Sequence, residues 1–307
     1  MGKVYIKFPP NACAGGVESI FQGCDSINRS GGDCSLFYDG PRLESCIPEE
    51  YEVYDLVKVV HEDDIHRSKE SLVVVPEVDT QYIPKFKDCT PCVWWLSVDN
   101  NHGRYQDFSD PDVFHLYQSE YSKEYLKTKG AKNLAPFHDY IQGFVKSEVQ
   151  KEDQICFNPV KGYQYTRFIM DHCQGMKFVP LSGMSKAQIM HELSRSKIYI
   201  DFGHHPGRDR IPREAALAGC LVVTSNIGSA KYSEDIPIGD KYKFSVLGPD
   251  IGPFLKGLMD NYEEYNKDFD HYRDVIGTQK SVQLEEARQI TKITEGGLIL
   301  DRIVPNV

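Results

Sequence analysis

Short apolar runs alternate along the chain with segments whose apolar residues recur at helical spacing, the pattern of parallel strands joined by crossover helices. In the first half the runs are Val4–Phe8, Cys34–Tyr38, Leu72–Val75, Val93–Val98 and Val113–Tyr117, with a helix predicted at 17–29. The second half repeats the pattern with Gln154–Phe157, Lys177–Val179, Ile198–Phe202, Leu221–Thr224 and Tyr242–Val246. Helices are predicted there at 163–173, 186–195 and 212–219, and two or more from 251 to about 292. The stretch after Tyr38, with Pro41, Pro48 and the acidic Glu62-Asp63-Asp64, is less regular, and its Tyr54–Val60 piece suits a strand or a helix. Apolar periodicity lapses at the charged Lys146–Asp153. The expected architecture is therefore α/β, with a first domain at 1–150 and a second at 151–307 whose last helices are free to pack back on the first. Two Rossmann-like lobes in series, facing across a cleft that takes a ligand, fit this order of elements.

Composition narrows the class. A chain of 307 residues with 40% hydrophobic and 26% charged content is long enough to bury a core in each of two domains. No run approaches the length of a membrane span, and the opening MGKVYIKFPP has no apolar h-region, so neither a span nor a secretory leader is expected. Ile6 stands where a myristoylation motif needs Ser or Thr. The nine cysteines have no regular spacing and read as reduced thiols of a cytoplasmic protein. Cys89-Thr-Pro-Cys92 has no second pair at zinc-ligand spacing. Net charge is −10, and residues 1–150 hold 15 Lys+Arg against 24 Asp+Glu, a balance of −9. An acidic first half does not follow a phosphate backbone, so nucleic acid is not expected as a partner.

Candidate chemistry falls at loops after strands. Gly15 and Gly16 lie between the first strand and its helix, where paired glycines admit a ligand to the backbone and a helix N-terminus favours an anion. A tight turn alone would also account for them. Lys161-Gly162 likewise follows a strand and precedes a helix, a position suited to neutralising phosphate. From Phe178 to Ala230 the chain reads as strand, glycine loop, helix capped by Ser185, strand, arginine-rich loop, helix, strand and second glycine loop. Arg208, Arg210 and Arg213 stand within six residues there, as phosphate ligands or as a salt-bridged face.

This last segment resembles the nucleotide-binding half of GT-B glycosyltransferases, particularly the retaining family, glycosyltransferase family 4-like, with a Glu-x7-Glu signature. Glu214-Ala215-Ala216-Leu217-Ala218-Gly219-Cys220-Leu221-Val222-Val223 matches the second glutamate with its helix and strand. The resemblance implies that Glu214 holds the ribose hydroxyls, that Lys161-Gly162 binds phosphate, and that Gly15-Gly16 faces the donor diphosphate. It implies that Ser182 and Gly183 meet the nucleobase and that Gly228 and Ser229, in the second glycine loop, belong to the donor site. Two positions depart from the family: Pro206 stands where the first glutamate belongs, and Ile155 where an arginine is usual. Arg208 or Arg210 is placed to replace that arginine.

In the first half, Asp99 and His102 follow the Trp94-Trp95-Leu96 strand end, and the resembled family brings a histidine or aspartate from this region to the donor sugar. Either suits a general base or sugar ligand; an ordinary turn with a solvent-facing histidine is the alternative. Ser119 and Glu120 are explained by helix capping. His204-His205 and the pairs Asp110/Asp112 and Asp268/Asp270 do not read as metal sites, so no metal and no cofactor are expected. The expectation is a metal-independent transferase moving a sugar from a nucleotide-diphosphate sugar to a glycan, protein or other hydroxyl acceptor. A non-catalytic sugar-nucleotide binder and a nucleotide-sugar isomerase are the alternatives.

Overall fold

The computed structural model describes residues 2–144 and 149–293; part of the lapse at Lys146–Asp153 lies outside them. Two compact units are present, one formed by residues up to Tyr140 together with those from Gln279 onward, the other by Ile141–Thr278.

The first unit contains β1 (Lys3–Lys7), α1 (Gly15–Arg29), β2 (Asp33–Tyr38), β3 (Val59–His61), β4 (Leu72–Pro76), β5 (Thr90–Trp95), β6 (Phe114–Tyr117), α2 (Glu120–Thr128) and β7 (Asn133–Pro136). The strands form one sheet in the order β3-β2-β1-β4-β5-β6-β7, every pair parallel. β4 is buried along its whole length, as its continuous apolar run requires of a strand covered on both faces. The extended run expected to Val98 stops at Trp95, where the Glu77 carboxylate takes the Leu96 N–H and Val98 begins a 3₁₀ turn. Two edge strands were not legible as such: β3 is three residues long, and β7 mixes Asn, Leu, Ala and Pro. Between β4 and β5 the crossover is a 3₁₀ segment, Glu77–Phe86, carrying Pro84. Cys89 and Cys92 lie in separate apolar clusters.

The second unit contains β8 (Glu152–Phe157), α3 (Tyr163–His172), β9 (Lys177–Pro180), α4 (Lys186–Arg195), β10 (Ser196–Asp201), α5 (Arg210–Leu217), β11 (Leu221–Ser225), β12 (Lys243–Phe244), α6 (Ile251–Asp260), α7 (Tyr262–Tyr265) and the start of α8 (Asp270–Ile293). Its sheet runs β12-β11-β10-β8-β9, again all parallel. α5 begins two residues before the expected 212, and β12 covers only part of Tyr242–Val246. From Gln279 onward α8 belongs to the first unit, where Ala287 and Ile290 enter the core and Glu286 pairs with His138 at 2.6 Å. Two Rossmann-like lobes are thus present, each a parallel sheet flanked by helices.

One lysine fastens the entry to the second sheet. Lys151 Nζ donates to the carbonyls of Leu193, Ser196 and Ala218 at 3.2, 2.6 and 2.8 Å, which gathers the end of α4, the start of β10 and the end of α5. These carbonyls lose a charged donor together in Lys151→Met. Hydrogen bonds to charged groups contribute about 1.5–3 kcal/mol, and urea unfolding of the variant is expected to show a loss in that range. An unchanged midpoint would mean that water replaces the ammonium without cost.

Candidate active site

Strand order singles out one point in each sheet. In the second unit the order places β8 between β9 and β10, so the connections from β8 and β10 leave in opposite directions, the kind of reversal at whose carboxyl ends open parallel sheets form a ligand crevice. Lys161 follows β8 and the loop 202–209 follows β10. These two loops approach closer than side chains permit. Gly162 has φ +61°, and a Cβ there would stand 2.7 Å from the backbone N of Gly203. Gly228, after β11, has φ +66°, and its Cβ would overlap the His205 carbonyl oxygen at 2.1 Å. The Ser229 N–H donates to that same carbonyl at 2.8 Å, and the buried Ser229 hydroxyl donates to Gly207 O at 2.7 Å. Gly228 and Ser229 therefore brace the β10 loop from behind.

The loop carries charge. Lys161 Nζ donates to both carboxylate oxygens of Asp209 at 2.8 Å. Arg213 is buried, and its guanidinium donates to the carbonyls of Arg208 and Asp209 at 2.9 and 3.3 Å, which fixes the loop where α5 begins. Arg210 Nε lies 3.8 Å from Glu214 Oε1, one helical turn on; both side chains are largely buried. Asp209 is the N-cap residue of α5, yet its carboxylate is turned to Lys161 and makes no cap bond. Gly162 likewise begins α3 without a side-chain cap. Ser185, as expected, caps α4 through a reciprocal pair of bonds with Gln188. The two helices that start at the crevice thus keep first-turn N–H groups that no side chain caps, an arrangement that favours an anion. Ser182 and Gly183 lie at the end of β9, beside β8, with Gly183 in left-handed backbone.

Asp201, His205 and Asp209 offer ligand atoms within 4.8 Å of one another. The two imidazole nitrogens diverge, Nδ1 toward Asp209 Oδ2 at 2.8 Å and Nε2 toward Asp201 Oδ1 at 3.7 Å, and Asp209 already holds Lys161. The cluster reads as an ion-paired array with organic cations. His204, the residue before His205, is exposed. The Asp-x-Asp pairs have local work: Asp110 accepts from the Asp112 N–H, Asp268 takes the Tyr242 hydroxyl and Lys241, and Asp270 pairs with Arg273.

In the first unit the reversal falls between β1 and β4. Gly15 and Gly16 open α1 there, exposed and without a side-chain cap; a Cβ on Gly16 would only touch Leu96 at 3.7 Å. Asp99 and His102 are exposed on the turn after β5. Tyr121 OH lies 3.4 Å from Asp99, and His102 ends the turn in left-handed backbone at φ +50°. Ser119 caps α2.

The sequence reading missed two groups at this edge. Lys7, the last residue of β1, is buried, pairs with Asp39 and lies 4.1 Å from the Tyr82 ring; Tyr82 also donates to Asp39. Although burial opposes it, Lys7 and Tyr82 hold the Asp39 carboxyl below its usual range. Glu77 is the first acid past β4, buried, accepting the Leu96 N–H at 3.0 Å, and burial pushes its pKa up to about 7. The rule that selected Asp99, the first acid off an apolar strand, would have found Glu77 as well.

No protein-family model matches the chain. An α-1,6-glucosyltransferase of Actinobacillus pleuropneumoniae serotype 7 (strain AP76) is 22% identical over 271 residues, covering 82% of this chain and 78% of that protein. Among solved structures, TarM of S. aureus matches with a TM-score of 0.69 at 9% identity, over 95% of this chain and 99% of that one. The pneumococcal O-GlcNAc transferase GtfA, in complex with UDP and GlcNAc, matches with a TM-score of 0.65 at 10% identity, over 96% and 99%. The fold is of the GT-B class. At such identities the likeness is one of backbone architecture, and the chemistry has to be argued from this chain's own residues.

Glu77 makes stability depend on pH. Its folded pKa is raised, so the native state holds a proton that the unfolded state gives up between the ordinary carboxyl range and about 7. Its contribution is least unfavourable in acid and worsens as pH rises through that window. Glu77→Gln is therefore expected to be more stable than wild type by about 1–3 kcal/mol at pH 8, with the advantage vanishing below pH 4. Urea melts across pH check this; a constant difference would mean that Glu77 is ionised when folded.

Proposed function

We propose that the chain is a glycosyltransferase that uses a nucleoside-diphosphate sugar and passes its sugar to a hydroxyl of a glycan, protein or other acceptor. The observation that carries this reading is the reversal between β8 and β10, where Lys161 pairs with Asp209 at the head of α5, Arg210 lies one turn from Glu214, and α3 and α5 both begin without side-chain caps. Transfer leaves growing negative charge on the departing diphosphate while the sugar becomes cation-like. Cations and amides already fixed in the loops stabilise that charge without reorganising at the moment of reaction.

In this reading Lys161, with Arg208 or Arg210, takes the diphosphate, and Glu214 accepts hydrogen bonds from the ribose. Ser182 and Gly183 approach the nucleobase. Gly228 and Ser229 serve the donor through the loop they hold, and Gly15 and Gly16 offer amides to its phosphates. Asp99 or His102 orients the donor sugar or the acceptor hydroxyl. The similarity to a glucosyltransferase and to GtfA with its UDP supports UDP-glucose and UDP-GlcNAc as the first donors to try. Pro206, in the place of the family's first glutamate, favours a second reading, a sugar-nucleotide binder without turnover.

A panel of nucleotide sugars, with and without candidate acceptors, separates the two: nucleotide release that needs acceptor supports transfer, and binding without release supports the second reading. Glu214→Ala is expected to weaken nucleoside and nucleotide alike by about 1.5–3 kcal/mol in calorimetry. Lys161→Ala is expected to weaken the diphosphate and spare the nucleoside. Equal losses for both ligands would remove Lys161 from the phosphate site.

We propose further that the cationic side chains take the place of a divalent ion. Turnover is then expected to survive EDTA, and Asp110→Asn and Asp112→Asn to be nearly silent. Activity lost to EDTA and restored by manganese would refute this.

A further inference from the structure

His205 has no part in the reading above, yet it is completely buried beside the phosphate lysine. Its ring lies between two carboxylates, Asp209 on the Nδ1 side and Asp201 on the Nε2 side. Behind it the Tyr199 hydroxyl donates to Asp201 at 2.9 Å, and in front Lys161 donates twice to Asp209. The groups facing the imidazole are thus Asp201 with Tyr199 from β10, Asp209 from the head of α5, and Lys161 from the β8–α3 loop; the β11 loop presents Gly228 and Ser229, which do not titrate. Charges alternate along this line as Asp201, His205, Asp209, Lys161. Lys161 has a third of its side chain open to solvent, whereas His205 has none.

A lysine tied to a carboxylate by two bonds cannot take up a phosphate at full strength without loosening that hold. Asp209, largely buried, would then be left short of positive charge, which is strongly unfavourable. We propose that His205 is a positioning residue that remains as the counter-ion of Asp209, so that Lys161 can pass from Asp209 to the donor diphosphate. This rests on Lys161 being the phosphate-binding lysine. No bond is made or broken, and the imidazole keeps its proton throughout. Burial opposes that proton, as does Lys161, but Asp209 and Asp201 outweigh them and raise the His205 pKa above its ordinary value. Departure of Lys161 removes an opposing charge and strengthens the hold. The same environment keeps Asp209 ionised: burial works against its charge, and His205 and Lys161 still hold its carboxyl below the usual range. Asp209 has given up capping α5 to take part.

The test uses the full chain with UDP, inorganic pyrophosphate and uridine as calorimetric probes. His205→Asn and His205→Gln are expected to weaken UDP and pyrophosphate about tenfold or more while leaving uridine unchanged. Asp209→Asn, which removes the carboxylate that needs a counter-ion, is expected to bind pyrophosphate at least as tightly as wild type. The double variant His205→Asn/Asp209→Asn should return to within about threefold of wild type, a rescue that a merely structural histidine would not give. Measured relative to His205→Asn, so that the ligand's own titration cancels, wild-type affinity should fall as pH rises past the ordinary imidazole range and the imidazole loses its proton.

Wild-type affinity in His205→Asn, or a double variant as weak as His205→Asn, overturns the proposal. Should the histidine variants fail to fold by near-ultraviolet circular dichroism, Asp209→Asn decides: weaker pyrophosphate binding there, or a pH dependence equal to wild type, overturns it. Lys161→Ala at wild-type affinity for pyrophosphate, or no binding of either phosphate probe by wild type, sinks the phosphate-lysine reading itself. Weak Lys161→Ala with unaffected His205→Asn sinks only the exchange of counter-ions.

Discussion

The second unit depends on backbone meeting backbone. At the carboxyl edge of its sheet the loops after β8, β10 and β11 close on one another at distances that leave no space for a Cβ, through Gly162 against Gly203 and Gly228 against the carbonyl of His205. Each contact also needs left-handed backbone at Gly162 or Gly228, which glycine adopts at little cost. With three loops pinned, the residues they carry have few ways to move. Lys161 meets Asp209, Arg213 locks the turn before α5, and Ser229 closes the back. A set of charges fixed in this manner is organised before any ligand arrives, which is the condition under which charged groups are most effective in a crevice.

Much of this was legible in the chain. Leu72–Val75 and Leu221–Thr224 are buried strands of parallel sheets, and Ser185 caps α4, because continuous apolar runs and capping residues act locally. Lys161 and the start of α5, which carries Arg210 and Glu214, follow the two strands at one reversal of strand order, and that placement after strands could be read from the sequence. What escaped notice depends on which way side chains turn and how deeply they are buried, which residue spacing does not state. His205 was weighed only with its neighbour His204, since adjacent histidines suggest a metal, whereas its true company is Asp201, Asp209 and Lys161. Arg213 was grouped with Arg208 and Arg210, but alone among them it is completely buried and spends its donors on carbonyls. Glu77 carries no motif; its unusual affinity for a proton arises from burial against β5. Short edge strands such as β3 and β7 escape because a pattern of period two needs more than three or four residues to declare itself.

The capping economy of the second unit sets α3 and α5, at the crevice, apart from α4. α4 satisfies its own start through Ser185 and Gln188, while α3 and α5 begin without side-chain caps on either side of Lys161. Asp209 could cap α5 and instead pairs with a lysine and a histidine. A residue type chosen for one local role and used for another marks a place where local stability has yielded to a longer-range requirement.

The first unit is assembled from both ends of the chain, and this has a consequence for biosynthesis. Its core contains Ala287 and Ile290, Ser26 is bonded to Gln283 at 2.6 Å, and Glu286 takes the His138 ring, whereas residues 141–278 form the second unit without interruption. During vectorial synthesis the strands of the first unit therefore wait for residues of α8, made after the whole of the second unit, before their core is complete. The unit encoded second has all its parts first. The seven strands of the first unit thus lack the helix that covers them while residues 141–278 are made, and the order of completion runs against the order of sequence.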